Sequence, residues 1–161
     1  MSIMSYLLQP RPQRRSASAF LLLLLFMAAG CSGPYLKPDG GRPSPSPRLI
    51  GTTWRAVEIL GRKASFFPGQ KMDAYLVLLD GGRLGGSTGC NNVNGAYSRN
   101  AARLSFSSVG TTRMACSPDI IEQERRFLGA VRSTAAYEIS GRRLILLDSG
   151  GRSVMELIAV R

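Results

Sequence analysis

The 161-residue sequence predicts a mainly β fold of α+β type, an antiparallel sheet curled into a partial barrel with one covering helix, and three observations carry that reading. Downstream of residue 48, short runs rich in Trp, Tyr, Val, Leu and Ile alternate with Gly, Asn and Asp clusters, the pattern of strands joined by tight turns. Eighteen glycines and nine prolines supply those turns without reaching low-complexity levels. A single helix-start signature, Ser117-Pro118-Asp119, interrupts the strands. A helix over one face or mouth of the sheet is the packing this order favours.

Taken in order, Trp54 to Leu60 forms a first strand, with Trp54, Ala56 and Glu58 on one face, Val57 and Ile59 partly on the other, and Gly61 to Lys63 breaking it. Met72 to Leu79 is a second strand, whose Leu76-Val77-Leu78-Leu79 run suggests burial near both faces. Asp80-Gly81-Gly82 turns the chain into a third, Arg83 to Gly86. Gly85 to Gly95 has the composition of a loop, and Ala96 to Arg99 and Arg103 to Phe106 form a hairpin about Asn100. Ser117 is an N-cap, Pro118 opens the helix and Asp119 sits beside its positive dipole end. Ile120, Ile121, Glu124, Phe127, Leu128 and Val131 recur at helical spacing, and the helix ends near Ser133. Three strands close the chain: Tyr137 to Ser140, Arg143 to Leu147 and Ser153 to Val160. The coarse order is therefore four or five strands, one helix and three strands.

Ahead of this domain lies an address. Arg11, Arg14 and Arg15 precede an apolar run from Ala17 to Ala29 that, at about 13 residues, is too short for a membrane span of about 20. Small residues Ala28, Ala29 and Gly30 lead into Cys31, an arrangement that resembles the bacterial lipobox. The resemblance implies cleavage after Gly30 and acylation of Cys31, with palmitate-like chains each contributing about 0.8 kcal/mol per buried methylene. Ser32 at the next position is permissive for transfer to the outer membrane, so the expected location is the bacterial envelope, lipid-anchored at Cys31 and facing the periplasm. Residues 1–30 are thus read as signal peptide, 31–48 as a Pro/Ser/Gly-rich tether and 49–161 as the folded domain.

The residue inventory excludes much chemistry. No histidine is present, which removes Ser-His-Asp and Cys-His nucleophiles, imidazole acid–base catalysis and histidine metal sites. The acids Asp73, Asp80, Glu122, Glu124 and Glu138 are scattered, with no spacing that pairs two carboxylates for glycoside hydrolysis. Glu124 either faces inward or takes ordinary amphipathic placement. Cys90 and Cys116 are the only cysteines beyond the anchor, an even pair in an oxidising compartment, and a disulfide is expected between them rather than a redox or zinc site. Asn91, Asn92 and Asn94 crowd one glycine-flanked loop, suited to turn formation or to a polar ligand. Beyond residue 30 the chain carries eighteen basic and ten acidic residues. Export makes nucleic acid an unsuitable partner for that charge, leaving lipopolysaccharide, anionic lipid or cell-wall polymers, or a codon bias towards arginine with no partner behind it.

Gly51-Thr52-Thr53-Trp54, Asp80-Gly81-Gly82-Arg83-Leu84-Gly85-Gly86, Gly89-Cys90-Asn91, Gly95-Ala96-Tyr97, Leu104-Ser105-Phe106 and Thr112-Arg113-Met114-Ala115-Cys116, in that order, resemble the META/HslJ domain family. Glu124, Phe127 and Leu128 occupy the matching Glu-x-x-Phe-Leu positions of its helix, and the resemblance covers about Leu49 to Ala159. Leu78, where phenylalanine is more usual, and Val93, where an aromatic often follows the Gly-Cys-Asn motif, depart from the pattern. The resemblance implies a compact antiparallel β fold with a helix, found in envelope lipoproteins and linked by name to the heat-shock response. The resemblance brings no established enzymatic reaction with it, and the residue inventory leads to the expectation of no cofactor and no metal. The expected role is a monomeric, non-enzymatic lipoprotein that supports stress tolerance by binding another envelope component. The alternative is a carrier of a lipid or small apolar ligand held between helix and sheet, near Phe127, Leu128 and the Leu76 to Leu79 run.

Overall fold

Alternating burial along short strands decides the architecture of the computed structural model, which describes residues 46–160. Cys31, the signal segment and the tether up to residue 45 lie outside the described residues. Nine strands follow in order: β1 (Thr53–Ile59), β2 (Arg62–Lys63), β3 (Ala74–Leu79), β4 (Arg83–Thr88), β5 (Asn92–Asn100), β6 (Arg103–Thr111), then helix α1 (Pro118–Ser133), β7 (Ala136–Ser140), β8 (Arg143–Leu147) and β9 (Ser153–Ala159). All the strand pairs are antiparallel, and β1 also pairs with β9, so the sheet closes on itself. β2 lies beside the C-terminal half of β1, on residues that β3 leaves unpaired.

The ring is not a regular barrel. β6 and β7 share a single register pair, Arg103 with Ala136, reinforced by Leu104 N–H donating to the Ala135 carbonyl and Tyr137 N–H to that of Ala102. β7 then runs past the β5–β6 turn, leaving the rest of β6 without a strand neighbour on that side. α1 packs at this opening against β6, β9, β1 and β4. Phe127, Ala130 and Val131 enter the core from the helix and meet Trp54, Ile59, Leu76, Leu78, Leu104, Leu144, Leu146, Met155 and Leu157, all essentially fully buried. This is the covering helix the sequence predicts, with the predicted start and end. Ser117 occupies the N-cap position, but its side chain makes no capping hydrogen bond.

Four local expectations are corrected. The register of β1 against β9 shifts between Ala56 and Glu58, so Val57 is the extra residue of a β-bulge. Trp54, Ala56 and Ile59 consequently share the buried face, and Glu58 is turned away from it. Leu76 and Leu78 are buried while Val77 and Leu79 are half-buried, the ordinary alternation of a one-sided strand. Gly85 to Gly95 is not a loop: β4 continues to Thr88 and β5 begins at Asn92, joined by a three-residue turn. The glycines there serve a close approach, since a Cβ on Gly86 would lie 2.2 Å from the Tyr75 carbonyl oxygen of the neighbouring strand. Finally, six strands precede the helix, because Leu60 and Gly61, both at positive φ, make a two-residue hairpin into β2.

Candidate functional site

The three-residue turn between β4 and β5 is where the motif residues converge. Thr88 is fully buried, and its hydroxyl oxygen accepts from the backbone N–H groups of Cys90 (3.2 Å) and Asn91 (2.9 Å), which fixes the turn. Gly89 completes it at φ +93°, with the Gln70 amide packed where a side chain would begin. The Thr88 hydroxyl donates to Glu124 Oε2 on α1 at 2.5 Å.

Asn91 is the hub. Its Oδ1 accepts from the Thr112 hydroxyl and the Met114 N–H, each at 2.8 Å, while its Nδ2 donates to Glu124 Oε2 at 2.8 Å and lies 3.3 Å from Cys90 Sγ. Glu124 therefore faces inward, the less usual of its two placements, and carries the helix onto the turn. Cys90 is joined to Cys116 with Cα atoms 6.2 Å apart, linking the same turn to the segment before α1. The Asn92 and Asn94 side chains are exposed and take no part, though the Asn92 N–H donates to the Thr112 hydroxyl oxygen at 3.1 Å. A carboxylate, an amide and a hydroxyl committed to one another in this way orient three segments of chain; they leave Asn91 without a hydrogen-bonding atom to offer a ligand.

The remaining motif residues lie elsewhere. Trp54 is in the core, its indole N–H donating to the Leu49 carbonyl at 3.0 Å. Gly95 faces a bulge in β6 formed around Ser108, where a Cβ would meet the Ser107 carbonyl oxygen at 3.0 Å. Tyr97 donates its hydroxyl to the Leu79 carbonyl at 3.0 Å and its N–H to that of Gly82 at 2.7 Å, closing the β3–β4 hairpin. The Met114 side chain is exposed.

Sequence reasoning missed two buried glutamines. Gln123 is completely enclosed and makes a two-way bond with the Ser65 backbone, accepting at 2.9 Å and donating at 3.0 Å. Its position midway along the stripe from Ile120 to Phe127 was the available signal. Gln70 had no such signal, because its amide bonds Phe67 and Met72 within an irregular segment.

A second feature lies at the other end of the ring, away from α1. A cavity of 590 Å³ opens there between residues 46–51 and the ends of β5 and β7. The residues suggested for an apolar ligand between helix and sheet do not line it: Phe127, Leu76 and Leu78 have no exposed surface and pack together in the core. The rim carries Arg99, whose guanidinium is held above its ordinary pKa by a hydrogen bond to the Tyr137 hydroxyl at 3.3 Å. Among the described residues the other perturbed group is Asp148 in the β8–β9 turn, lowered by the Arg152 backbone N–H, by the Arg152 guanidinium and by the Gly150 N–H. Among the described residues, no three His, Cys, Asp or Glu side chains are grouped to hold a metal ion.

Solved structures share this architecture. One from Burkholderia xenovorans, determined by NMR, is 23% identical, with a TM-score of 0.56, and the match covers 77% of this chain and 97% of that one. A crystal structure of a DUF4847 family protein from Bacteroides vulgatus is 11% identical, with a TM-score of 0.50 over 68% of this chain and 93% of that one. No curated protein matches. The model of the META domain matches residues 47–159, the span that contains the ring, its helix and the Asn91 hub, and the chain belongs to the META domain family.

Proposed function

We propose that this META domain is a non-enzymatic binding module, held in the bacterial envelope by a lipid on Cys31, that supports stress tolerance by engaging another envelope component. The observation that supports binding over catalysis is the Asn91 hub, in which the motif groups best able to act on a substrate are bonded to one another. Phe66, Met72, Met114 and Ile121 stand exposed on segments bonded together around the start of α1, and offer an apolar contact surface. Lys71 and Arg113 are exposed on the same segments, as are Asp73 and Asp119, so charges of both signs border that surface.

The test is metabolic labelling of the full chain with radioactive palmitate in a bacterial host, followed by fractionation. Label and membrane association are expected in the wild type, and both are expected to be lost in Cys31→Ser. Recovery of the unsubstituted chain as soluble, unlabelled protein overturns the anchored reading. A chemical activity abolished by Glu124→Gln without loss of fold overturns the non-enzymatic one.

A further inference from the structure

The inner face of β5 holds a residue out of keeping with its neighbours. In an antiparallel pair, directly opposed residues point to the same side, and Arg99 opposes the fully buried Leu104. Tyr97 precedes it on that face, opposite Phe106. Tyr137 and Ile139 on β7 oppose the buried Leu146 and Leu144, so they too are turned inward. Arg99 therefore occupies an interior register position at the mouth of the ring, a place the alternation would give to an apolar side chain.

The opposite wall is built from residues 46–51, and it is fixed in place. Gly51 N–H donates to the Leu78 carbonyl at 2.8 Å, Ile50 bridges to Leu78, and the Arg48 carbonyl accepts from the Thr52 hydroxyl at 2.6 Å. The 590 Å³ of this open-mouthed cavity falls in the range of small-molecule sites, about 300–1,000 Å³. Ile50 and Ile139 supply apolar lining, while Arg48 and Arg99 bring two positive charges and Asp80 one negative charge. Among the described residues neither arginine is ion-paired. Two cations and one acid leave a single positive charge for a ligand head. Asp80 on the same rim disfavours a head with two negative charges.

We propose that this mouth is a binding site for a small amphiphilic monoanion, its head on Arg99 and Arg48 and its apolar arm against Ile50 and Ile139. The site goes beyond the envelope-partner reading and does not depend on the anchor.

The full chain carrying Cys31→Ser, exported without lipid, is titrated with decanoate, decanol and acetate, and followed by calorimetry and by backbone NMR shifts. Decanoate is expected to saturate one site, with the largest shifts at Arg48, Arg99 and Ile139. Decanol and acetate, which lack the charge and the arm respectively, are expected to bind at least tenfold more weakly. Arg99→Gln, a change at an exposed side chain, is expected to weaken decanoate at least tenfold; Arg62→Gln, at an exposed position on β2, is expected to leave it unchanged. Equal binding of decanol and decanoate, or equal loss in both arginine variants, overturns the proposal. So do shifts that map onto α1 in place of the mouth. If decanoate binds only after residues 32–45 are deleted, the mouth is the seat of the chain's own tether, and the proposal likewise fails.

Discussion

Asn91 makes more of the fold's long-range polar contacts than any residue beside it, and truncating it tests that directly. Asn91→Ala leaves the Met114 N–H, the Thr112 hydroxyl and Glu124 each short of a partner at a part-buried site. Water can reach the stranded groups in part, so the lost hydrogen bonds are expected to cost about 1–2 kcal/mol in urea unfolding, with the midpoint falling and the slope unchanged. Asp148 supports a pH prediction. Its carboxyl is held below its ordinary value, so the stabilisation is complete above the unfolded pKa of about 3.9 and is lost as pH falls through the lower folded value. In an NMR titration Asp148 should titrate below its ordinary value, and Arg152→Gln should bring it only part of the way back, because the Arg152 backbone N–H, the largest cause, remains. A full return to the ordinary value would assign the whole effect to the guanidinium. The hub itself was half legible in the sequence. Asn91, Thr112 and Glu124 were each singled out, but 21 and 33 residues separate Asn91 from the other two, and only the folded sheet brings them within hydrogen-bond reach.

At the scale of elements, local signals fared well and cross-strand ones poorly, for a physical reason. The helix was legible end to end because proline at its start, an acid in its first turn and a 3.6-residue apolar stripe all act within a few residues. The bulge at Val57 arises from pairing with β9, a partner distant in sequence, and that at Ser108 from its opposition to Gly95 across the β5–β6 hairpin, so neither is announced by the residues on its own strand. The Gly85 to Gly95 segment misleads in the opposite way: Gly86 has the composition of a loop, yet it is glycine because a neighbouring strand passes within contact of its missing Cβ. Two glycine substitutions should therefore differ in sign. Gly129 lies inside α1, and a Cβ there would rest 3.8 Å from Leu60, an ordinary contact, so Gly129→Ala should stabilise by about 0.5–1 kcal/mol. Gly86→Ala drives a methyl into backbone and should destabilise by at least as much. Thermal unfolding of the pair checks both, and stabilisation by both would show that β3 and β4 are free to separate.

For the whole molecule, the cystine and the ring closure set the terms of stability. Cys90 and Cys116 are 26 residues apart, and closing a loop of that length contributes about 3–4 kcal/mol in the chain-entropy picture. Cys90→Ser, Cys116→Ser and the double variant should lose nearly the same amount, since one bond is removed in each. Additive losses, or none relative to the oxidised wild type, would show that the two thiols act separately. Ring closure also leaves the two ends of the domain as neighbours: Val160 N–H donates to the Thr53 carbonyl at 2.9 Å, and β1 lies directly against β9. The order of elements around the ring is thus a cycle, and where the polypeptide is cut is independent of which strands touch. A circular permutant that joins residue 160 to residue 46 through a linker, so that Leu49 keeps its place in the core, and opens the chain in the exposed Ser149–Gly151 turn, should fold to the same ring with the same cystine.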